Sequence, residues 1–212
     1  MQETARSWVE GWAACRGMPR PVDVPWGLRI ETGQPSQVVR HVLLDNDAAT
    51  ARDLIGTITE PTTCVKAFLP QGEMDPWFSS AWEPTEPCFL MAVDLRPSRV
   101  RVPDGYTVSV EAADGVVHVR VLSADGDLAA GGRTGSTRAG TACVFDQIVT
   151  EAAHRRRGLG TVVMGALTDA AAGSGASVGI LGATVPGRAL YEALGWKVLA
   201  PLNGFVYEPV AP

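Results

Sequence analysis

The stretch from Asp146 to Thr161 constrains this chain more than any other. A strand-like apolar run leads through a short loop into Arg155-Arg156-Arg157-Gly158-Leu159-Gly160, and a helix follows to about Ala172. Gly158 and Gly160 carry no side chain, so backbone N–H groups there can come close to an anion. A helix starting at Leu159 turns unpaired N–H groups and the positive end of its dipole toward the same place. Three arginines add positive charge to a chain whose formal net charge is -5. The arrangement suits a diphosphate, although a tight strand-to-helix turn with solvated arginines would read the same way. A dinucleotide fingerprint would need a third glycine where Val163 stands, and a Walker loop would need a lysine after Gly160. Both are excluded.

The flanking segments read as a mixed α/β chain. Trp8, Trp12 and Cys15 recur at helical spacing within a predicted helix from Thr4 to Arg16. A Pro-rich stretch follows. Leu28–Thr32 and Val38–Leu44 read as strands, and Asp47 caps a predicted helix over Ala48–Thr57. Cys64–Leu69 and Cys88–Leu95 read as strands around a turn-rich segment that carries Trp77, Phe78 and Trp82. In the second half, Asp114-Gly115 joins Tyr106–Ala112 to Val116–Leu122 as a hairpin. Leu128–Arg133 and Thr141–Thr150 follow as strands, the latter expected to be the longest. After the Leu159 helix come a strand over Val178–Thr184, a helix opened by Pro186 and stopped by Gly195, and one or two closing strands over Trp196–Glu208. Period two puts Val144, Asp146, Ile148 and Thr150 on one strand face, with Gln147 on the other.

Composition narrows the class. Hydrophobic residues make up 46% and charged residues 19%, ordinary for a globular protein. An acidic surface repels nucleic acid and anionic membranes, so neither is an expected partner. Four dispersed cysteines without a CxxC pair, and three histidines, give no metal site; the thiols are expected reduced and mostly buried. No apolar run approaches the roughly 20 residues of a membrane helix, and the N-terminal stretch does not read as a signal peptide. The expected compartment is the cytoplasm.

The segment VTEAAHRRRGLGTVVMGAL resembles the acetyl-CoA-binding motif R/Q-x-x-G-x-G/A of the GNAT acetyltransferases, with Arg155, Gly158 and Gly160 at its defining positions. Further on, GILGATVPGRALYEALGWKV is similar to the family's late strand-helix block, through Leu190, Tyr191, Glu192, Gly195 and Trp196. Both blocks occur in order, and the resemblance covers roughly residues 106 to 208. It implies the GNAT acyltransferase fold, a mixed, mostly antiparallel sheet flanked by helices, and an N-acetyltransferase moving an acetyl group from acetyl-CoA to a primary amine. The strand backbone at Ile148, Val149 and Thr150 would pair with the pantetheine arm. Arg155, Arg156, Arg157, Gly158, Leu159, Gly160 and Thr161 would hold the diphosphate. Tyr191 would protonate the departing thiolate. Asp146 is the candidate base, with a structural hydrogen bond as its other reading; His118, Glu111 and His154 are weaker alternatives. The acceptor would be a small-molecule or peptide amine. Such folds commonly form homodimers, and no patch here specifies one.

Three departures accompany the resemblance. Ala152 stands where the family usually has proline, and Thr184 where it often has a cofactor-contacting asparagine; Thr184 can still donate a hydrogen bond. Only Ala113-Asp114-Gly115 separates the first two strands, where the family normally places two helices that help form the acceptor site. Within residues 1–100, the order strand, helix, strand, helix, strand from Val38 to Leu95 resembles the latter half of a GNAT domain without its loop. The expected organisation is therefore tandem: a degenerate module over 1–100, with aromatic residues bordering the acceptor cleft, and an acetyl-CoA-binding domain over 101–212. A non-catalytic acyl-CoA-binding or interaction protein is the alternative.

Overall fold

The computed structural model describes residues 1–98, 100–137 and 140–209. Its helices are α1 (Gln2–Cys15), α2 (Ala48–Thr57), α3 (Gln71–Met74), α4 (Leu159–Gly173) and α5 (Val185–Ala193). The strands of the first half are β1 (Val22–Val24), β2 (Gly27–Gln34), β3 (Gln37–Leu43), β4 (Thr63–Ala67), β5 (Trp82–Pro84) and β6 (Cys88–Asp94). Those of the second are β7 (Tyr106–Ala113), β8 (Val116–Ser123), β9 (Leu128–Ser136), β10 (Ala142–Thr150), β11 (Val178–Thr184) and β12 (Lys197–Tyr207).

Local chemistry explains many boundaries. Asp47 accepts a hydrogen bond from the Thr50 amide at 2.8 Å and so starts α2. Asp114 and Gly115 both take positive φ, 52° and 77°, the geometry of a two-residue hairpin turn whose twist matches its strands. Thr184 caps α5 by accepting from the Gly187 amide at 3.3 Å.

All twelve strands join one mixed sheet, in the order β1-β2-β3-β4-β12-β6-β11-β10-β9-β8-β7, with β5 beside β12. Among the described residues only β3–β4 and β10–β11 pair in parallel, and each pair is joined through a helix, α2 or α4. The halves exchange strands. β6, from the first half, lies antiparallel between β11 and β12. β12 begins beside β6 and then continues, antiparallel, beside β4 and β5. At 11 residues β12 is the longest strand, in place of β10, which has nine and which the sequence predicts to be the longest. β1 and β5, three residues each, lie in stretches that read as Pro-rich coil and turn.

α1 covers one face of the sheet, where Trp8, Val9 and Trp12 pack with Val144, Ile180, Leu90 and Leu202. α4 covers the opposite face, where Val163 and Leu167 pack with Phe145, Val119 and Leu181. Because β7 and β8 form a plain hairpin, the helical cover on the first face comes from the N-terminus of the chain. Gly11 permits this docking, since a Cβ there would stand 2.4 Å from Val144 Cγ2.

Gly11→Ala is therefore expected to destabilise the fold by about 1–2 kcal/mol through overpacking, despite alanine's better helix propensity. Gly56, with nothing near an added Cβ, is the control: Gly56→Ala should be neutral or stabilising by up to ~1 kcal/mol. Urea midpoints of the two variants check both signs.

Candidate active site

β10 and β11 are paired only from Ala142–Val178 to Val144–Ile180. Beyond that point β10 runs on to Thr150 and β11 to Thr184 without pairing to each other, so facing backbone edges are left open. A cleft of about 650 Å³ occupies this gap and extends across the sheet toward β3 and β4. Asp146, Ile148, Thr184 and Tyr191 line it, together with Trp8, Trp12 and Arg16 of α1 and the region just after it.

The loop after β10 closes on itself and on β7. Arg155 Nε donates to the Thr150 carbonyl at 3.2 Å, and Arg157 Nη1 donates to the Tyr106 hydroxyl at 3.0 Å. Tyr106 also bonds His154 Nδ1 at 3.0 Å, so His154 is a loop-fixing residue. Arg155, Arg156, Arg157 and Gly158 are exposed. Gly158 has φ 78° and no atom near an added Cβ; its absent side chain leaves the space above the helix start clear. Gly160 serves a different end: a Cβ there would lie 2.9 Å from Leu190 Cδ2, so it lets α4 pack against α5.

The first bond within α4 runs from the Val162 amide to the Gly158 carbonyl at 3.2 Å. The amides of Leu159, Gly160 and Thr161 precede it, and no side chain caps them. Three uncapped donors, a helix dipole and exposed guanidinium groups fit the diphosphate of a coenzyme A ester. The open edge of β10 beside them fits an extended arm that pairs like a strand.

The face assignment along β10 requires correction. Gln147 takes φ 53°, and the register with β9 shifts between Asp146 and Val149, so one residue is bulged out. The bulge reverses the alternation. Val144 and Asp146 face α1, whereas Ile148 points to the opposite face, its Cδ1 in the space a Gly132 side chain would take, beside Val163 and Leu167 of α4. Val149 is exposed. Asp146 holds a bidentate ion pair, accepting from Arg16 Nε at 2.7 Å and Nη2 at 3.0 Å. Glu111 and His118 oppose each other across β7 and β8, and neither lines the cleft.

Tyr191 is buried on α5, 6.1 Å between ring centroids from Trp196. Burial, reinforced by the Asp146 charge, pushes its phenol up to about 12. The hydroxyl therefore keeps its proton at neutral pH and can donate it. Trp77, Phe78 and Trp82 lie away from the cleft, in a separate cluster with Phe205. The cleft also contains Arg40 and Lys66, which lie outside every motif of the sequence. Their signal was available: each is a lone cation inside an apolar strand run.

A family model described as the acetyltransferase (GNAT) family matches residues 74–196. The chain belongs to that family. Solved structures agree in fold. A GCN5-related N-acetyltransferase from Kribbella flavida superposes with a TM-score of 0.69 at 16% identity, over 98% of this chain and 96% of its own. A protein of the GNAT family from Novosphingobium aromaticivorans gives 0.62 at 14%, over 98% and 97%. A tandem GNAT protein from the clavulanic acid biosynthesis pathway gives 0.56 at 14%, over 77% and 69%. No curated protein matches the sequence. Among the described residues no group of three or more His, Cys, Asp or Glu is arranged to hold a metal, and no helix is long and apolar enough to cross a membrane.

The Tyr191 environment has a measurable consequence. Its phenol is raised from 10.0 to about 12 in the folded chain, so the unfolded chain releases this proton first. The stabilising contribution is complete below pH 10 and is lost as pH rises toward 12. Relative to Tyr191→Phe, the wild type should lose about 1 kcal/mol of unfolding free energy between pH 10 and 11. Paired denaturation curves at those two pH values measure it, and a constant difference would count against the buried phenol.

Proposed function

We propose that the protein is an N-acetyltransferase that moves an acetyl group from acetyl-CoA directly to a primary amine. The observation that carries this reading is the early end of β10–β11 pairing beside the uncapped start of α4. Acetyl-CoA supplies a thioester, a carbonyl activated toward attack by an amine. In this reading the amides from Arg156 to Thr161 bind the diphosphate, and Arg155, Arg156 and Arg157 add charge around it. The β10 backbone at Ile148, Val149 and Thr150 pairs with the pantetheine arm. Thr184, whose hydroxyl oxygen caps α5, keeps its proton to donate toward the same arm. An unpaired β10 amide stabilises negative charge on the carbonyl oxygen. Tyr191 donates its proton to the thiolate as the C–S bond breaks and the N–C bond forms. Asp146 accepts the proton released by the amine, which requires it to exchange one of its bonds to Arg16.

The first hundred residues act in this reading as a degenerate GNAT-like module. Its parallel β3-α2-β4 unit parallels β10-α4-β11, without a glycine-arginine loop, and its share of the cleft forms the acceptor wall. The engagement of Asp146 by Arg16 favours a second reading, a protein that binds acyl-CoA without turning it over. Formation of an acetylated amine, detected by mass spectrometry, separates the two.

Calorimetric titration with acetyl-CoA tests the site itself. Micromolar affinity is expected, falling at least roughly a hundredfold in Gly158→Glu, where bulk and like charge oppose the diphosphate. Unchanged affinity in that variant would move the site elsewhere. Tyr191→Phe should lower kcat roughly ten- to a thousandfold with little change in acetyl-CoA affinity; equal turnover would remove Tyr191 from the mechanism.

A further inference from the structure

The far end of the cleft holds more buried positive charge than the protein neutralises. Arg40 on β3 and Lys66 on β4 are each only 7% exposed, and both line the cleft. Their strands pair in parallel, Arg40 with Cys64 and Val42 with Lys66, so the two side chains leave the same face of the sheet. The Arg40 guanidinium lies 4.1 Å from the centre of the Trp12 ring and donates one hydrogen bond to Gln37 Oε1. Arg40 Nε is buried with no partner. Lys66 Nζ donates once, to Thr85 Oγ1 at 3.2 Å. Its aliphatic stem occupies space that Gly204 leaves open, because a Cβ there would come within 2.6 Å of Lys66 Cγ.

Among the described residues neither cation forms an ion pair. The carboxylate of Asp146 is already committed to Arg16, whose guanidinium lies 4.8 Å from the same Trp12 ring. Glu83, Glu86 and Glu208 line the cleft but are exposed, and they do not pair with Arg40 or Lys66. Burial disfavours both cations, lowering each below its usual range, and the nearby Asp146 charge only partly opposes this for Arg40. A chain that keeps two such groups against an open cleft leaves a place for an anion.

We propose that the amine acceptor also carries a carboxylate, and that Arg40 and Lys66 bind it while the amine lies toward Asp146 and Tyr191. The acceptor class is then an amino acid or a similar small amine acid. This rests on the acetyl-transfer reading. The bond changes are those of that reading; Arg40 and Lys66 only hold the acceptor. Trp12 and Trp8 provide the apolar floor between the two ends.

The test uses the full chain with saturating acetyl-CoA. Thiol release and product mass are followed for each common amino acid beside its carboxamide. The free acid of the best pair should have a kcat/KM at least roughly tenfold higher. Lys66→Gln should raise KM for that acid by roughly tenfold or more and erase the preference, leaving acetyl-CoA affinity unchanged; Lys66→Arg should restore part of it. Equal or better use of the carboxamide overturns the proposal, as does an unaltered preference in Lys66→Gln. A carboxylate could instead belong to the acyl group of the donor. Tighter binding of succinyl-CoA than acetyl-CoA, abolished in Lys66→Gln, would overturn the assignment to the acceptor. If acetyl-CoA binds but no amino acid is acetylated, the N-acetylated amino acids are tested for thermal stabilisation at about 10 mM. No stabilisation by any of them overturns the proposal and leaves acetyl-CoA binding intact. Failure of acetyl-CoA to bind would remove the underlying reading and the proposal together.

Discussion

The exchange of strands between the two halves is the constraint on which the rest depends. β6 supplies the neighbour that β11 needs on its outer side, and β12 supplies the neighbour of β4. With those places filled, β11 is held from Val178 to Thr184 by β6 along its whole length. It is therefore free to part from β10 after Ile180 without losing its place in the sheet. The gap between β10 and β11 is stable because the support of β11 comes from the other side.

The docking of α1 on the sheet brings together chemistry from distant parts of the chain. Asp146 meets Arg16, 130 residues away in sequence. Arg133 Nη1 donates to the Cys15 carbonyl at 2.7 Å, fixing the end of α1 against β9. α1 thus covers the sheet face left bare by the plain β7–β8 hairpin, and places Trp8 and Trp12 in the cleft. In the proposed reading, the side of the cleft that takes acetyl-CoA is built from backbone and helix termini, and the side that takes the acceptor from side chains of the first half. Backbone recognises a ligand common to a family, while side chains can change with the acceptor.

Much of this was legible where the signal is local. The Asp47 cap, the Asp114-Gly115 turn and the helix beginning at Leu159 follow from chemistry within a few residues, and all stand at the expected places. Strand alternation failed at Gln147 because a bulge on a residue other than glycine leaves no compositional mark, and its cost is met by tertiary contacts. β12 was expected to be one strand or two; a single strand changing partners midway has no signature in its own residues. Arg40 and Lys66 carry a quieter mark than the run at 155–157: each is an isolated cation in an apolar strand, where burial is costly. Arg16, at the end of α1, carries no such mark, and only the fold brings it to Asp146.

The crossing of β6 and β12 also means that the chain has no clean place to be cut. A fragment beginning after residue 100 would lack β6, leaving the outer edge of β11 unpaired and β12 without its inner neighbour. A fragment ending there would carry β6 with nothing to pair against and would leave β4 without β12. Each piece would expose open sheet edges that invite association. The strands of the two halves share one sheet, so the degenerate module proposed above is a likeness in topology, and the wall of the cleft is expected to depend on strands from both halves.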